Sequence, residues 1–175
     1  SHTMVDLINN GFEVISVDNN AKSSTRLLEG AGKITGKKIK NYKVDLCNFD
    51  DTHAVFQENR DIAGIIHFAA FKTVPESVAE PLMYFHNNLE SLINVLRCVK
   101  EFNIPHFVFS SSCSVYGNAK DLPVVESTPL GEAQSPYART KQMGENICRD
   151  FTHANQGFKA ILLRYFNPVG PMPLR

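Results

Sequence analysis

Five short runs rich in apolar and β-branched residues punctuate the chain: "EVISVD" (13–18), "NYKVDL" (41–46), "GIIHFA" (64–69), "HFVFSS" (106–111) and "AILLRY" (160–165). Longer amphipathic stretches separate them, which is the pattern of strands alternating with helices around a parallel sheet. Most of the runs lack a strict polar alternation, as expected of strands covered on both faces. The fold class is therefore α/β, a doubly wound parallel sheet. One helix is expected from about 81 to 102, where Leu82, Phe85, Leu89, Leu92, Leu96 and Val99 repeat at three- and four-residue spacing and form a core stripe. Another should start with Ser135 as N-cap and Pro136 in the first turn, where the missing N–H costs nothing, and end near Gly157.

Composition excludes several classes of function. Eighteen Lys and Arg balance eighteen Asp and Glu without long runs of one sign, so neither nucleic acid nor a membrane surface is an expected partner. Cys47, Cys98, Cys113 and Cys148 lie far apart with no Cys-x-x-Cys pair, and the six histidines are scattered, so no metal is expected. The same cysteine usage, without a membrane-spanning run or a signal-peptide pattern, gives the expectation of a reducing, cytoplasmic compartment. At 175 residues the chain is long enough for one domain with a substantial core.

In parallel sheets of this kind ligands bind beyond the carboxyl ends of the strands. Those ends are polar here: Asp18 closes one run, Asp45 lies near the end of the next, and "HFAAFKTVPES", "SSSCSVYG" and "YFNPVG" follow the others. Singly, each has a plain structural reading, with Asp as a turn former or cap, "SSS" as a polar loop and "NPVG" as a turn. The stretch "SPYARTK" adds Tyr137 and Lys141 at i and i+4, on one helix face.

Together these stretches resemble the extended short-chain dehydrogenase/reductase family, and within it the enzymes that invert UDP-glucose and UDP-galactose at C4. The resemblance is carried by "SHT" before a helix and "VISVDN", then "IIHFAAFKTVPESV", "FVFSSSCSVYGN", "SPYARTK" and "LLRYFNPVG". It implies NAD as cofactor, a UDP-sugar as substrate and a homodimer formed through the helix at 81–102 and the one after Tyr137. It also implies that Tyr137 takes the proton of the sugar's C4 hydroxyl, that Lys141 supplies positive charge beside it, and that Ser112 hydrogen-bonds the same hydroxyl. A phenol that ionises near pH 10 must be shifted by roughly three units to act as a base at neutral pH, about 4 kcal/mol.

The resemblance assigns the remaining contacts residue by residue. Asp18 would hold the adenosine ribose, and the neighbouring Asn19, where an NADP site would carry a cation, points to NAD. Asp45 and Leu46 would lie along the adenine, Phe68, Ala69 and Lys72 along the pyrophosphate, and Asn87 and Tyr165 by the nicotinamide. Asn167 would contact the substrate's diphosphate. Phe68 also reads as packing and Asn87 as a cap or bridge.

Family members open with a strand and a Gly-x-x-Gly-x-x-Gly loop whose last glycine directly precedes "SHT". Residues 1–175 thus read as an NAD-binding, Rossmann-like domain lacking its first strand and glycine-rich loop, and without the smaller C-terminal substrate domain. Pro75 stands where the family has glycine, and Ala138-Arg139-Thr140 replaces Gly-Lys-Ser. Pro75 fixes its own φ and is expected to bear on the shape of the loop carrying Lys72. Two other functions fit the same stretches. A nucleotide-sugar 4,6-dehydratase would need an Asp-Glu pair where Cys113 and Ser114 stand. An inactive dinucleotide-binding or interaction module would suit the missing loop and domain.

Overall fold

A computed structural model describes residues 2–120 and 122–168, so Ser1 and the glycine of "NPVG", Gly170, lie outside the described residues. The architecture is α/β with parallel sheets, and the chain divides into two compact units. Among the described residues the first comprises 2–45, the second 46–120 with 122–168.

In the first unit, helix α1 (His2–Asn9) buries Val5 and Ile8 and packs with α2 (Arg26–Thr35). Strand β1 (Ile15–Val17) pairs in parallel with β2 (Lys40–Tyr42), with Val17 opposite Tyr42. Both strands are shorter than the sequence runs suggest. Each has a single neighbour among the described residues, so the ladder ends where that one pairing ends.

The second unit holds a three-stranded parallel sheet in the order β3 (Gly64–His67), β4 (His106–Ser112), β5 (Lys159–Tyr165). Helix α3 (Phe49–Glu58) starts at an Asn48 cap that accepts from the Asp51 amide. Between β3 and β4 run α4 (Val74–Ala79), α5 (Pro81–Phe85), a π-turn at His86–Glu90 and α6 (Ser91–Glu101). Helix α7 (Pro136–Ala154) precedes β5, capped by Ser135 through the Ala138 amide at 3.1 Å as its sequence suggests. The core gathers Phe107 and Phe109 of β4, Leu92, Val95, Leu96 and Val99 of α6, Cys148 of α7 and Phe158.

The expected helix over 81–102 needs one correction. Leu92, Leu96 and Val99 are buried as read, but Leu82 is 81% exposed and Tyr84 is fully buried in its stead. The π-turn accounts for the change, because one extra residue in a turn rotates the preceding helix by about 100° relative to the succeeding one. The buried face therefore runs Tyr84, Asn88, Ser91 and Leu92, Val95, Val99.

After β4 a 3₁₀ turn (Cys113–Tyr116) ends at Gly117, whose backbone (φ 57°, ψ −136°) lies in a region that only glycine occupies comfortably. There the chain crosses residues 131–132 so closely that a Cβ on Gly117 would strike the Glu132 carbonyl, and one on Gly131 the Tyr116 carbonyl. Gln142 of α7 pins the crossing, donating to the Val115 carbonyl at 2.8 Å and the Gly131 carbonyl at 2.7 Å. Gly117→Ala is expected to lower stability by about 1–3 kcal/mol. Urea unfolding checks this, and an unchanged midpoint would show that the crossing is not strained.

Candidate active site

Chemistry-bearing groups of the second unit gather where β4 and β5 end. The two strands finish in register, with Ser112 opposite Tyr165 and Ser111 opposite Arg164. Successive residues face opposite sides of a sheet, so the first pair points one way and the second the other. Ser112 closes β4, and its hydroxyl oxygen accepts from the Ser114 amide at 3.2 Å and the Ser114 hydroxyl at 3.0 Å. With its oxygen so engaged, its single proton is left to donate.

Helix α7 delivers Tyr137 in its first turn and Lys141 one turn later. Lys141 is buried, donates from Nζ to the Ser110 carbonyl at 2.7 Å, and lies 5.1 Å from the Phe109 ring centre and 5.8 Å from that of Tyr137. Burial holds its pKa down to about 8. Burial pushes the partly buried Tyr137 phenol above its ordinary range, a hydrogen bond with Ser112 pulls it back, and the Cys113 thiol adds to the rise. The structure departs here from the expectation that Lys141 lowers the phenol's pKa: desolvation outweighs every neighbour. A base at this position needs a further positive charge brought in with a ligand.

His67, at the end of β3, stacks near Phe107 and Phe109 and is buried. Burial, with the Lys141 charge behind it, holds its pKa down to about 3. The imidazole is neutral at working pH and adds no second cation beside Lys141.

Asn88, in the π-turn, ties the loop after β3 to α7. Its Oδ1 accepts from the Phe71 amide at 2.7 Å, while its Nδ2 donates to the Phe71 carbonyl at 3.0 Å and to Thr140 Oγ1 at 3.1 Å. Thr140 in turn donates to the Tyr137 carbonyl at 2.7 Å. The serine-to-threonine replacement thus keeps the hydroxyl these bonds require. The buried Tyr84 phenol holds the next stretch of the loop through Thr73 and Glu76. Pro75 falls within the first turn of α4, where proline is tolerated, so the loop leads straight into a helix.

The second unit brings Ser112, Tyr137 and Lys141 together, and it also contains Leu46, Phe68, Ala69, Lys72, Asn87, Tyr165 and Asn167. Phe68 is half-exposed, with its ring centre 6.3 Å from that of Tyr165. Lys72 and Asn167 are exposed. The Leu46 carbonyl accepts from Asn94 at 3.0 Å, and Asn87 donates to Asn88 at 2.9 Å. Asp18, Asn19 and Asp45 belong to the first unit. Asp18 and Asn19 form consecutive turns, accepting from the Asn20 amide at 2.8 Å and the Ala21 amide at 2.9 Å.

In each unit, taken by itself, polar groups fit part of a nucleotide cofactor. The Lys141 ammonium carries three N–H donors and places one on Ser110, which leaves two for ribose hydroxyls. Asp18 spends Oδ1 on Asn20, and its second oxygen can accept from a diol. Sequence reasoning missed Tyr84, Asn88, Thr140, Glu145 and Arg164. A signal for Glu145 did exist, since it extends Tyr137 and Lys141 by one more i+4 step onto a face that has to pack.

The family description "NAD dependent epimerase/dehydratase family" matches residues 1–174. UDP-glucose 4-epimerase of Bacillus subtilis (strain 168) is 43% identical over 173 residues, 99% of this chain and 50% of that protein. The Schizosaccharomyces pombe UDP-glucose 4-epimerase uge1 is 44% identical over 177 residues, with 99% and 49% covered. Among solved structures, UDP-glucose 4-epimerase from Bifidobacterium longum in complex with NAD+ and UDP superposes with a TM-score of 0.93 at 46% identity, covering 97% of this chain and 50% of that one. The chain spans about half the length of the curated relatives it matches.

Proposed function

The chain belongs to the NAD dependent epimerase/dehydratase family, and on that footing we propose that the intact protein interconverts UDP-glucose and UDP-galactose by inverting C4 with NAD. The observation that carries this reading is the convergence of Ser112, Tyr137 and Lys141 at the carboxyl end of β4. Residues 1–175 act as the NAD-binding domain of that protein.

NAD, when bound, supplies the hydride acceptor for C4 and a positive charge that favours the Tyr137 phenolate. The protein's own part is proton handling and orientation. The Tyr137 oxygen takes the proton of the C4 hydroxyl, and Ser112, hydrogen-bonded to the phenol, orients that hydroxyl beside it. The 4-keto sugar turns over in the site, and the Tyr137 phenol returns its proton to the ketone oxygen as C4 is reduced on its other face. Lys141 holds the ribose. Asp18 and Asn19 hold the adenosine ribose, Asp45 and Leu46 flank the adenine, and Phe68, Ala69 and Lys72 follow the pyrophosphate. Asn87 and Tyr165 border the nicotinamide, and Asn167 meets the substrate's diphosphate.

Two lesser parts of the reading are a second copy as partner and a cytoplasmic location. Leu82 and Ile93 on α5 and α6 and Met143 on α7 are exposed apolar residues on the helical segments proposed to meet their copies. No helix among the described residues is long and apolar enough to cross a membrane. Incubation of the purified intact protein with UDP-galactose tests the function. UDP-glucose should form, and denaturation should release NAD. A 4-keto-6-deoxy sugar as final product, or no conversion with no cofactor bound, would overturn the reading.

A further inference from the structure

Behind the proposed catalytic residues, on the helix-facing side of the sheet, lies a buried ion cluster that the mechanism leaves unused. Glu145 of α7 has a fully buried side chain, yet its carboxylate is completely engaged. Oε1 accepts from Ser111 Oγ at 2.6 Å and from Arg164 Nε at 2.9 Å. Oε2 accepts from Arg164 Nη2 and from Arg149 Nη2, both at 2.8 Å. Arg164 reaches on from Nη1 to the Tyr116 hydroxyl at 3.0 Å and to the Glu126 carbonyl at 3.2 Å. Apolar residues of similar volume often stabilise a core as well as such a cluster does, so stability alone is a weak account of it.

Its location offers a better one. Ser111 and Arg164 are directly opposite each other on β4 and β5, and the next pair along the same ladder is Ser112 and Tyr165, facing the reaction side. Strand ends are where a ladder frays first. Glu145 grips both strands at their last inward-facing pair, from one turn beyond Lys141 on the helix that also carries Tyr137. We propose that Glu145, through its paired bonds to Arg164 and its bond to Ser111, is a positioning residue that fixes Ser112 and Tyr165 relative to Tyr137 and Lys141. The inference rests on the epimerase reading for its effect on turnover, but not for its effect on the strand ends.

The experiment uses the intact protein with two variants, Glu145→Gln and the double variant Glu145→Met with Arg164→Met, which fills the same space without charge. Turnover of UDP-galactose, bound NAD, thermal midpoint and hydrogen exchange of the segments 106–116 and 159–168 are measured on each. The double variant is expected to keep a near-native midpoint and its NAD, to lose roughly 30-fold or more in kcat with little change in KM, and to exchange faster only at the ends of β4 and β5. Should it fail to fold, Glu145→Gln carries the same comparison. A well-folded variant with full kcat and native exchange would overturn the proposal. If the unsubstituted protein does not turn over UDP-hexoses, the epimerase reading fails, while faster exchange at the strand ends still supports the clamp and unchanged exchange still refutes it.

Discussion

In the intact protein, Tyr137→Phe is expected to cut turnover of UDP-galactose by about 10³- to 10⁴-fold while leaving NAD bound and stability nearly unchanged. The substitution removes one oxygen and keeps the ring, so the packing of the first turn of α7 is preserved. Ser112 keeps its bonds from Ser114, because these come from its own 3₁₀ turn. What disappears is the group proposed to take and return the C4 proton. Cofactor retention is expected because Lys141 reaches the Ser110 carbonyl without help from the phenol. Full turnover in the variant would remove Tyr137 from the chemistry. Loss of NAD along with activity would mean that the phenol serves binding instead.

Lys141→Met is expected to do two opposed things: abolish cofactor retention and turnover, and raise stability at neutral pH. The folded ammonium titrates near 8 against 10.5 for an exposed lysine, because burial penalises its charged form. At about 1.4 kcal/mol per unit, burying the charge costs roughly 3 kcal/mol. Methionine fills similar space without that cost, but leaves the Ser110 carbonyl without its donor, a loss of about 1 kcal/mol. The net gain is on the order of 2 kcal/mol. Its pH dependence comes from the lowered pKa. Below pH 8 the native lysine is charged in both folded and unfolded chains, so the variant's advantage is fully present. As pH rises from 8 toward 10.5 the folded lysine loses its proton while the unfolded one keeps it, and the advantage fades. Urea unfolding at pH 7 and pH 10 measures this. A variant less stable than the parent at pH 7 would show that the lysine's bond to Ser110 outweighs its desolvation.

Much of this arrangement is legible in the sequence where a local rule governs it. Ser135 and Pro136 announce the start of α7, and the four-residue step from Tyr137 to Lys141 is enough to set both on one face of it. The three runs that pair in the second unit carry strands close to their expected places, because each contributes to one continuous ladder. The runs of the first unit are trimmed to three residues each, since strand length is decided by a partner and not by propensity. Leu82 looks like core by spacing and is exposed by a π-turn that no simple periodicity reveals. The phenol's pKa is misread from sequence for a related reason: a lysine at i+4 is visible there, whereas desolvation depends on everything packed around the ring. Glu145, Arg164 and Ser111 lie 19 and 34 residues from one another along their bonds, so only the fold identifies them as one cluster.

The most direct test of the account tracks the hydrogen at C4. UDP-galactose carrying deuterium at C4 is incubated with the intact protein in ordinary water, and the UDP-glucose formed is analysed by mass spectrometry and NMR. Proton removal by Tyr137 at oxygen, with hydride leaving and returning at carbon, predicts a product that keeps its deuterium at C4. Loss of the label to solvent, or no conversion at all, would contradict it.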